Sequence, residues 1–421
     1  MLGTDLHAQY LLMLPLLLSG RGAQAYLHGV AYMHLDARFR PLGSKRLLLC
    51  RTPPHVLPAP ALMLFQGLSP QEAEHGPCEL EFYSRIRRLF AEHPCLITYS
   101  FSYLEALDAI GLRIFRNASI FADLEHIVDV RQAVDAVRVF AGETAGPHDL
   151  IGTARRAGFA APVGRGDHGG RLDALAFLLT YMVHRQPQMM GFCHTACSVQ
   201  AAWLDAACRS GECCLYLQGT QLQLCLCLEL NRQEMSLSVL TGGSEPQVLH
   251  LPLHRHPLLC PEQVLTSARQ RQLKLDLEAG RARLFRAAAD TRSLPQSDRS
   301  FFECALHRMS ADDAAFCRRY DELDPRALMD APLCLSHELR MRHLLFRGDN
   351  LPAIMTDGER YRYHRCCAAR IEAQLPAYTR AVARLRERLA DGDAQASRQL
   401  QALADYPATL NQPGGWQPAQ R

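Results

Sequence analysis

Residues 10–51, YLLMLPLLLSGRGAQAYLHGVAYMHLDARFRPLGSKRLLLCR, decide the fold. Three apolar runs, YLLMLPLLL, AQAYLHGVAYMHLD and SKRLLLCR, are separated by turn formers at Ser19–Gly20–Arg21–Gly22 and Arg40–Pro41–Leu42–Gly43. Apolar, strand-length runs punctuated in this way predict an antiparallel meander. The first run, Leu11 to Leu18, followed by Ala23–Gln24–Ala25, also fits the apolar core and cleavage site of a secretory signal. Against that, no Lys or Arg precedes it, Asp5 does, and the run is too short to span a bilayer. No other segment has the length and apolarity of a transmembrane helix, so no membrane partner is expected.

Beyond the meander comes a Pro-rich loop, RTPPHVLPAPALMLFQGLSPQEAEHG, which closes on a helix start with Ser69 as N-cap, Pro70 at N1 and Glu72 at N3. A helix over Glu79–Ala91, a buried strand over Cys95–Tyr99 and helices to about Arg116 follow. IFADLEHIVDVRQAVDAVRVF then reads as a strand running into a helix, and HDLIGTARRAGF as a further helix. A three-stranded meander followed by alternating helices and strands is the layout of a ribonuclease-H-like α/β domain.

Pro162–Pro187, PVGRGDHGGRLDALAFLLTYMVHRQP, ends this first unit. It places His168 on a Gly-rich loop and Asp173 in the first turn of an apolar helix. In a hydrolase of phosphodiesters such a His takes a proton from attacking water and such an Asp holds a divalent metal. An ordinary capping and packing role for both is equally open.

With 421 residues the chain is long enough for two or three domains. Its net charge of +3 forces no polyanion partner by itself. Arg is concentrated between Glu338 and Arg388, where Lys is absent. There Arg347, Arg360, Arg362 and Arg365 interleave with Tyr361 and Tyr363, which suits single-strand binding through cations on phosphates and aromatic planes under bases. A solvated helix with packed tyrosines is the other reading. Seven of the sixteen Cys fall between Cys193 and Cys227, but only Cys193-x3-Cys197 approaches zinc-ligand spacing. Alternating Cys and Leu in LQLCLCLEL predicts a buried strand with Cys as a small hydrophobe, and no metal site is assigned.

RFRPLGSKRLLLCRTPPHVLPAPALMLFQGLSPQEA resembles bacterial exonuclease I (exodeoxyribonuclease I), as do YSFSYLEALDAIGLRIF, VDVRQAV and the closing HRQP. HRHPLLCPEQVL, SFFECALHRMSADDAAF and HLLFRGDNLPAIMTDGERYRYHR continue the likeness in order, so that it spans nearly the whole chain and is weakest between Met189 and Gln247. The resemblance implies an exonuclease domain at 1–187, a small SH3-like β-barrel at 188–258, a helical domain at 259–406 and a disordered tail at 407–421. ECCLYLQ, QLQLCLCLEL, EMSLSVL and QVLHLPL are the strands expected of the barrel.

The resemblance further implies two Mg²⁺ ions held by four carboxylates, with a His activating water. Aligned on Gly20, the family's D-x-E falls on Pro15 and Leu17, neither of which can bind a metal. Anchored on Tyr99, the next acid becomes Glu105, or Asp108 if the register slips. His168 and Asp173 match the family's final H-x4-D. Asp5, Asp36 and Asp129 are the remaining acids open to such a site. Loss of two carboxylates leaves repulsion between the metals uncompensated, so the expectation is a degenerate site that binds Mg²⁺ weakly or not at all. The leading expectation is a cytoplasmic, monomeric pseudo-nuclease holding single-stranded DNA. Two alternatives stand beside it: an active Mg²⁺-dependent 3′–5′ exonuclease of single-stranded DNA, and a scaffold that binds the C-terminal tail of a single-strand binding protein.

Overall fold

The structure, a computed structural model, describes residues 10–20, 22–93, 95–116, 118–122, 124–143, 149–195, 197–231, 236–242, 246–253, 257–289, 310–322, 336–389 and 393–410. Asp5, part of SFFECALHRMSADDAAF and residues 411–421 of the expected tail lie outside these ranges.

The first unit is built on a five-stranded sheet of order β3-β2-β1-β4-β5, with β1 Tyr10–Ser19, β2 Tyr26–Leu35, β3 Pro41–Leu49, β4 Cys95–Thr98 and β5 His126–Asp129. β1 pairs antiparallel with β2 and parallel with β4, and β4 pairs parallel with β5. β1 is therefore central, and its unbroken apolar run follows from burial on both faces. Leu11 and Met13 pack toward α2 (Glu79–Glu92) and α3 (Phe101–Arg113), where Phe82, Ile86, Leu104 and Leu107 meet them. Tyr10 and Leu12 pack oppositely, toward α4 (Val130–Ala141) and α6 (His168–Arg185), against Val134, Leu172, Leu175 and Leu179.

Two local expectations change. The turn into β3 is made by residues 36–40, where Asp36 accepts the backbone N–H groups of Arg38 (2.8 Å) and Arg40 (2.9 Å), so Pro41 and Leu42 already belong to the strand. The Pro-rich loop also contains a helix, α1 (Pro60–Gln66), with Pro60 at its start and Gly67 closing it at φ 67°. Pro at the first helical position and Gly in the left-handed region after the last are favourable there.

α5 (Leu150–Arg156) precedes α6, and α7 (Pro187–Cys193) and α8 (Cys197–Ser210) lead into a second sheet. It is antiparallel, of order β10-β6-β7-β8-β9, with β6 Cys213–Gln218, β7 Gln221–Asn231, β8 Ser236–Thr241, β9 Gln247–Pro252 and β10 Leu258–Pro261. The fifth strand pairs with β6 and runs to Pro261, past residue 258, the expected end of the β domain. Period-two alternation in β7 turns Cys225 and Cys227 toward Leu204 and Ala207 of α8, and Leu224 and Leu226 toward Leu277 and Leu284 of α10 (Leu277–Ala288). The cysteines here are packing groups.

α9 (Ser267–Gln272), α10, α11 (Ala311–Glu322), α12 (His337–Asn350), α13 (Asp357–Arg388) and α14 (Ala394–Leu410) complete the described chain. α13 runs unbroken through Pro376. Pro376 is exposed, so the carbonyl whose bond it removes faces outward rather than into a core. α14 likewise continues through Pro407 to Leu410, past the expected start of a disordered tail. Its Ala396, Leu400 and Leu403 pack on Leu16, Leu18, Met63 and Leu64, and Gln399 donates to the carbonyls of Met63 (2.9 Å) and Leu68 (2.8 Å). The C-terminal helices thus back α1 and β1. No helix among the described residues is long and apolar enough to cross a membrane.

Candidate nucleic-acid interface

A groove of about 200 Å³ runs beside β1. Its floor is Leu14, Pro15, Leu16 and Leu17, its walls come from α1, from the end of β4 with the start of α3, and from the first turns of α5 and α6. Gly67 and Gly166, at φ 67° and 72°, sit back to back: a Cβ on Gly67 would lie 2.6 Å from Gly166 Cα. This close approach sets the C-terminus of α1 against the N-terminus of α6. Gln66 then reaches β1 through Nε2, 3.0 Å from Leu17 O, and Tyr99 Oη meets Thr153 Oγ1 at 3.0 Å, tying β4 to α5.

His168 lines this groove, but it opens α6 rather than lying on the loop. Asp167 is the N-cap and accepts from Gly170 N at 2.7 Å. Burial, reinforced by Arg171 and opposed by Asp167, holds the His168 imidazole below its ordinary pKa. Because His168 is already helical, five residues carry Asp173 about 140° around the axis. Asp173 accordingly leaves the groove and pairs with Lys45 of β3 on the surface. Arg171, one turn on from His168, takes the groove-facing position instead. Its guanidinium lies 4.2 Å over the Phe65 ring and donates to Phe65 O at 3.2 Å.

The other acids are engaged elsewhere. Glu105 is half-buried on α3 and does not line the groove; Tyr103, two residues earlier and on the opposite face of the helix, does. Asp108 is buried and accepts from Ser119 Oγ (2.9 and 3.0 Å) and Ile120 N (2.9 Å), fixing the loop after α3. Asp129 caps α4 through Gln132 N (2.9 Å) and accepts from Phe101 N (2.8 Å); burial raises its pKa to about 6. Asp149 is the one carboxylate among the described lining residues, and it caps α5 through Gly152 N at 2.8 Å.

Hard-cation chemistry needs several oxygen ligands around one point. Here Pro15 and Leu17 form the floor, Arg171 brings a positive charge and the single acid is committed to a helix cap. The donor set does not fit Mg²⁺. Nor do the described residues elsewhere bring three or more His, Cys, Asp or Glu side chains into a metal-holding group.

The Arg-rich segment divides in two. Arg347 is buried, paired with Glu359 at 2.5 Å and donating to Ile354 O at 3.2 Å, so it bolts α12 to α13 and offers no phosphate contact. Tyr363 is equally internal: its ring fills the space over Gly348, where a Cβ would come within 2.2 Å, and its hydroxyl donates to Asp349 at 2.7 Å. Arg360, Arg362 and Arg365 are exposed on the first turns of α13. Tyr361 is 64% exposed, with the Arg365 guanidinium 5.9 Å from its ring centre.

Sequence reasoning missed Arg171, Phe65 and Tyr103. The i, i+3 spacing of His168 and Arg171 was the available signal, once the helix start was placed at His168.

No protein-family model and no curated protein matches the sequence. Solved structures do. Apo exonuclease I superposes with a TM-score of 0.75 at 17% identity, covering 96% of this chain and 100% of that one. E. coli exonuclease I in complex with a dA16 oligonucleotide gives 0.72 at 17% identity, covering 96% and 100%. An SSB/exonuclease I structure with the inhibitor CFAM gives 0.75 at 16% identity, covering 96% and 99%. The chain is similar to these structures along almost its whole length and has their α/β fold.

Proposed function

We propose that this chain is a divergent exonuclease-I-type protein that binds single-stranded DNA and has lost metal-dependent hydrolysis. The observation that carries this is the composition of the groove: Pro15, Leu17 and Arg171 surround the position where two cations would need a cage of carboxylates. The fold shared with an oligonucleotide-bound exonuclease I supports the binding half, as does the exposed set Arg360, Arg362, Arg365 and Tyr361. In this reading 1–187 is the exonuclease-type unit, the second sheet, β10-β6-β7-β8-β9, is the SH3-like module and the helices after it complete a clamp. The protein works as a monomer in the cytoplasm.

Anisotropy of a labelled single strand, titrated at several salt concentrations, tests the binding. Affinity that falls steeply with salt is expected; no binding at low salt defeats the proposal.

A second reading is favoured by a separate groove of about 180 Å³, lined mainly by Phe192, Val199, Trp203, Pro257, Leu258 and Leu259 at the junction of the two sheets. Since an SSB/exonuclease I structure shares the fold, this groove is the place to look for docking of a single-strand binding protein's tail. Binding of that peptide without binding of DNA would favour the scaffold reading.

A further inference from the structure

The groove beside β1 is apolar, yet four of the residues that line it carry five buried side-chain polar atoms with no protein hydrogen-bond partner: Thr98 Oγ1, Gln66 Oε1, Arg171 Nε and both ring nitrogens of His168. Thr98 is wholly buried and Gln66 is 5% exposed. Buried polar atoms are ordinarily paired, and leaving one unpaired costs about 1–3 kcal/mol. Five converging on one groove indicate a ligand that supplies the missing partners.

The chemistry of that ligand follows from the donors. Arg171 has no ion-pair partner within 4.0 Å among the described residues; Asp167 and Asp149, the acids that face it from the α6 and α5 caps, are each held by a backbone N–H. A guanidinium with a free Nε–H, an imidazole N–H and a hydroxyl present three donors to an anion, and Gln66 Oε1 remains to accept from a neighbouring hydroxyl. Tyr103, 47% exposed, also lines the groove and offers a ring face to a base. The volume is below the roughly 300–1,000 Å³ of drug-sized sites, which limits the occupant to one terminal unit.

We propose that this groove binds a terminal phosphate monoester of a nucleic-acid strand on Arg171 and His168, with no divalent metal. Arg171 thereby occupies the role of cation that the donor set denies to Mg²⁺. A monoester near pH 7 carries a charge of about −1.5 to −2, more than a diester, and pairs with guanidinium through strong charge-assisted hydrogen bonds. The proposal rests on the single-strand-binding reading above and adds to it the chemistry of the strand end.

The test compares a labelled oligothymidylate with a 3′-phosphate, a 5′-phosphate or hydroxyls at both ends, in EDTA. One phosphorylated end is expected to bind roughly tenfold more tightly than the hydroxyl strand, and the other identifies which end is not read. Arg171→Gln and His168→Gln should erase that preference, so that each variant binds the phosphorylated and hydroxyl strands equally. His168→Gln guards against a folding artefact, because its ring makes no hydrogen bond within the protein. Equal affinity for all three strands, or a preference that appears only with Mg²⁺, overturns the proposal. Calorimetry with thymidine 3′-monophosphate and thymidine 5′-monophosphate separates the two claims: mononucleotide binding without oligonucleotide binding sinks single-strand binding but keeps the phosphate site, and absence of both sinks the site as well.

Discussion

Two polar regions of this molecule are built on opposite principles. At the joint between the first unit and the C-terminal helices, charges are paired: Arg113 grips Glu79 with Nε at 3.0 Å from both carboxylate oxygens while lying 4.0 Å over Tyr26, and Arg347 pairs with Glu359. Tyr363 binds Asp349, and Arg51 donates to Asp349 O at 2.9 Å. Around the groove beside β1, Thr98, Gln66, His168 and Arg171 hold buried polar atoms with no protein partner. Paired groups brace each unit and, through Arg51 and Asp349, the joint itself; groups left unpaired, at a cost to stability, are candidates for meeting a ligand. An arginine in one region is architecture, and in the other it is the group we propose for binding.

Substitutions should separate the two regions by sign. The largest effect is expected at the joint, where Arg113→Ala strands the buried carboxylate of Glu79 and should cost about 3–5 kcal/mol in chemical denaturation, with a smaller loss for Arg347→Ala, whose partner Glu359 is only half-buried and is also held by Thr356. If Arg347→Ala instead left stability unchanged and weakened DNA binding, Arg347 would belong with the surface arginines after all. Next comes acid. Burial lowers His28, which lies behind the groove near His168, and His343, in the joint, to a pKa of about 4. Both are neutral in the folded protein between about pH 4 and 6.5, while the unfolded chain takes up protons there. Stability should therefore be full above pH 6.5 and fall as pH drops toward 4, by up to about 3 kcal/mol per histidine. Melting curves of His28→Leu against the parent should show a shallower loss over that window; an unchanged slope would remove His28 from the explanation.

Smaller and opposite in sign is the effect expected at Thr98. Its hydroxyl is buried without a partner, so Thr98→Val should stabilise the fold by about 1 kcal/mol, and a substantial loss would mean the hydroxyl is satisfied within the protein. The smallest effect on stability is expected at Tyr361→Ala, within about 0.5 kcal/mol because the side chain is exposed. The same change should weaken single-strand binding by about 1–3 kcal/mol if a base stacks there, and unchanged affinity would leave α13 as an ordinary solvated helix.

Much of this architecture is legible in the residues. The apolar runs of β1, β2 and β3 and the Cys/Leu alternation of β7 carry the periodicity that burial demands, and both sheets follow from them. α1 is hidden because Pro60 and its Pro-rich flank read as loop, although Pro is favourable where a helix begins. The site was less legible for a geometric reason. Moving the start of α6 to His168 rotates Asp173 out of the groove and Arg171 into it, and spacing alone does not reveal where a helix begins. Arg347 and Arg365 are likewise indistinguishable by composition; only the packing of α12 on α13 buries one and leaves the other exposed.

The most direct measurement is incubation of a 3′-labelled single-stranded oligonucleotide with the purified chain in Mg²⁺ and then Mn²⁺, alongside His168→Gln and Arg171→Gln. A groove floored by Pro15 and Leu17 should leave the strand at full length in both metals while still holding it. Metal-dependent shortening that vanishes in His168→Gln would contradict the loss of hydrolysis and return carboxylates to a site from which this structure turns them away.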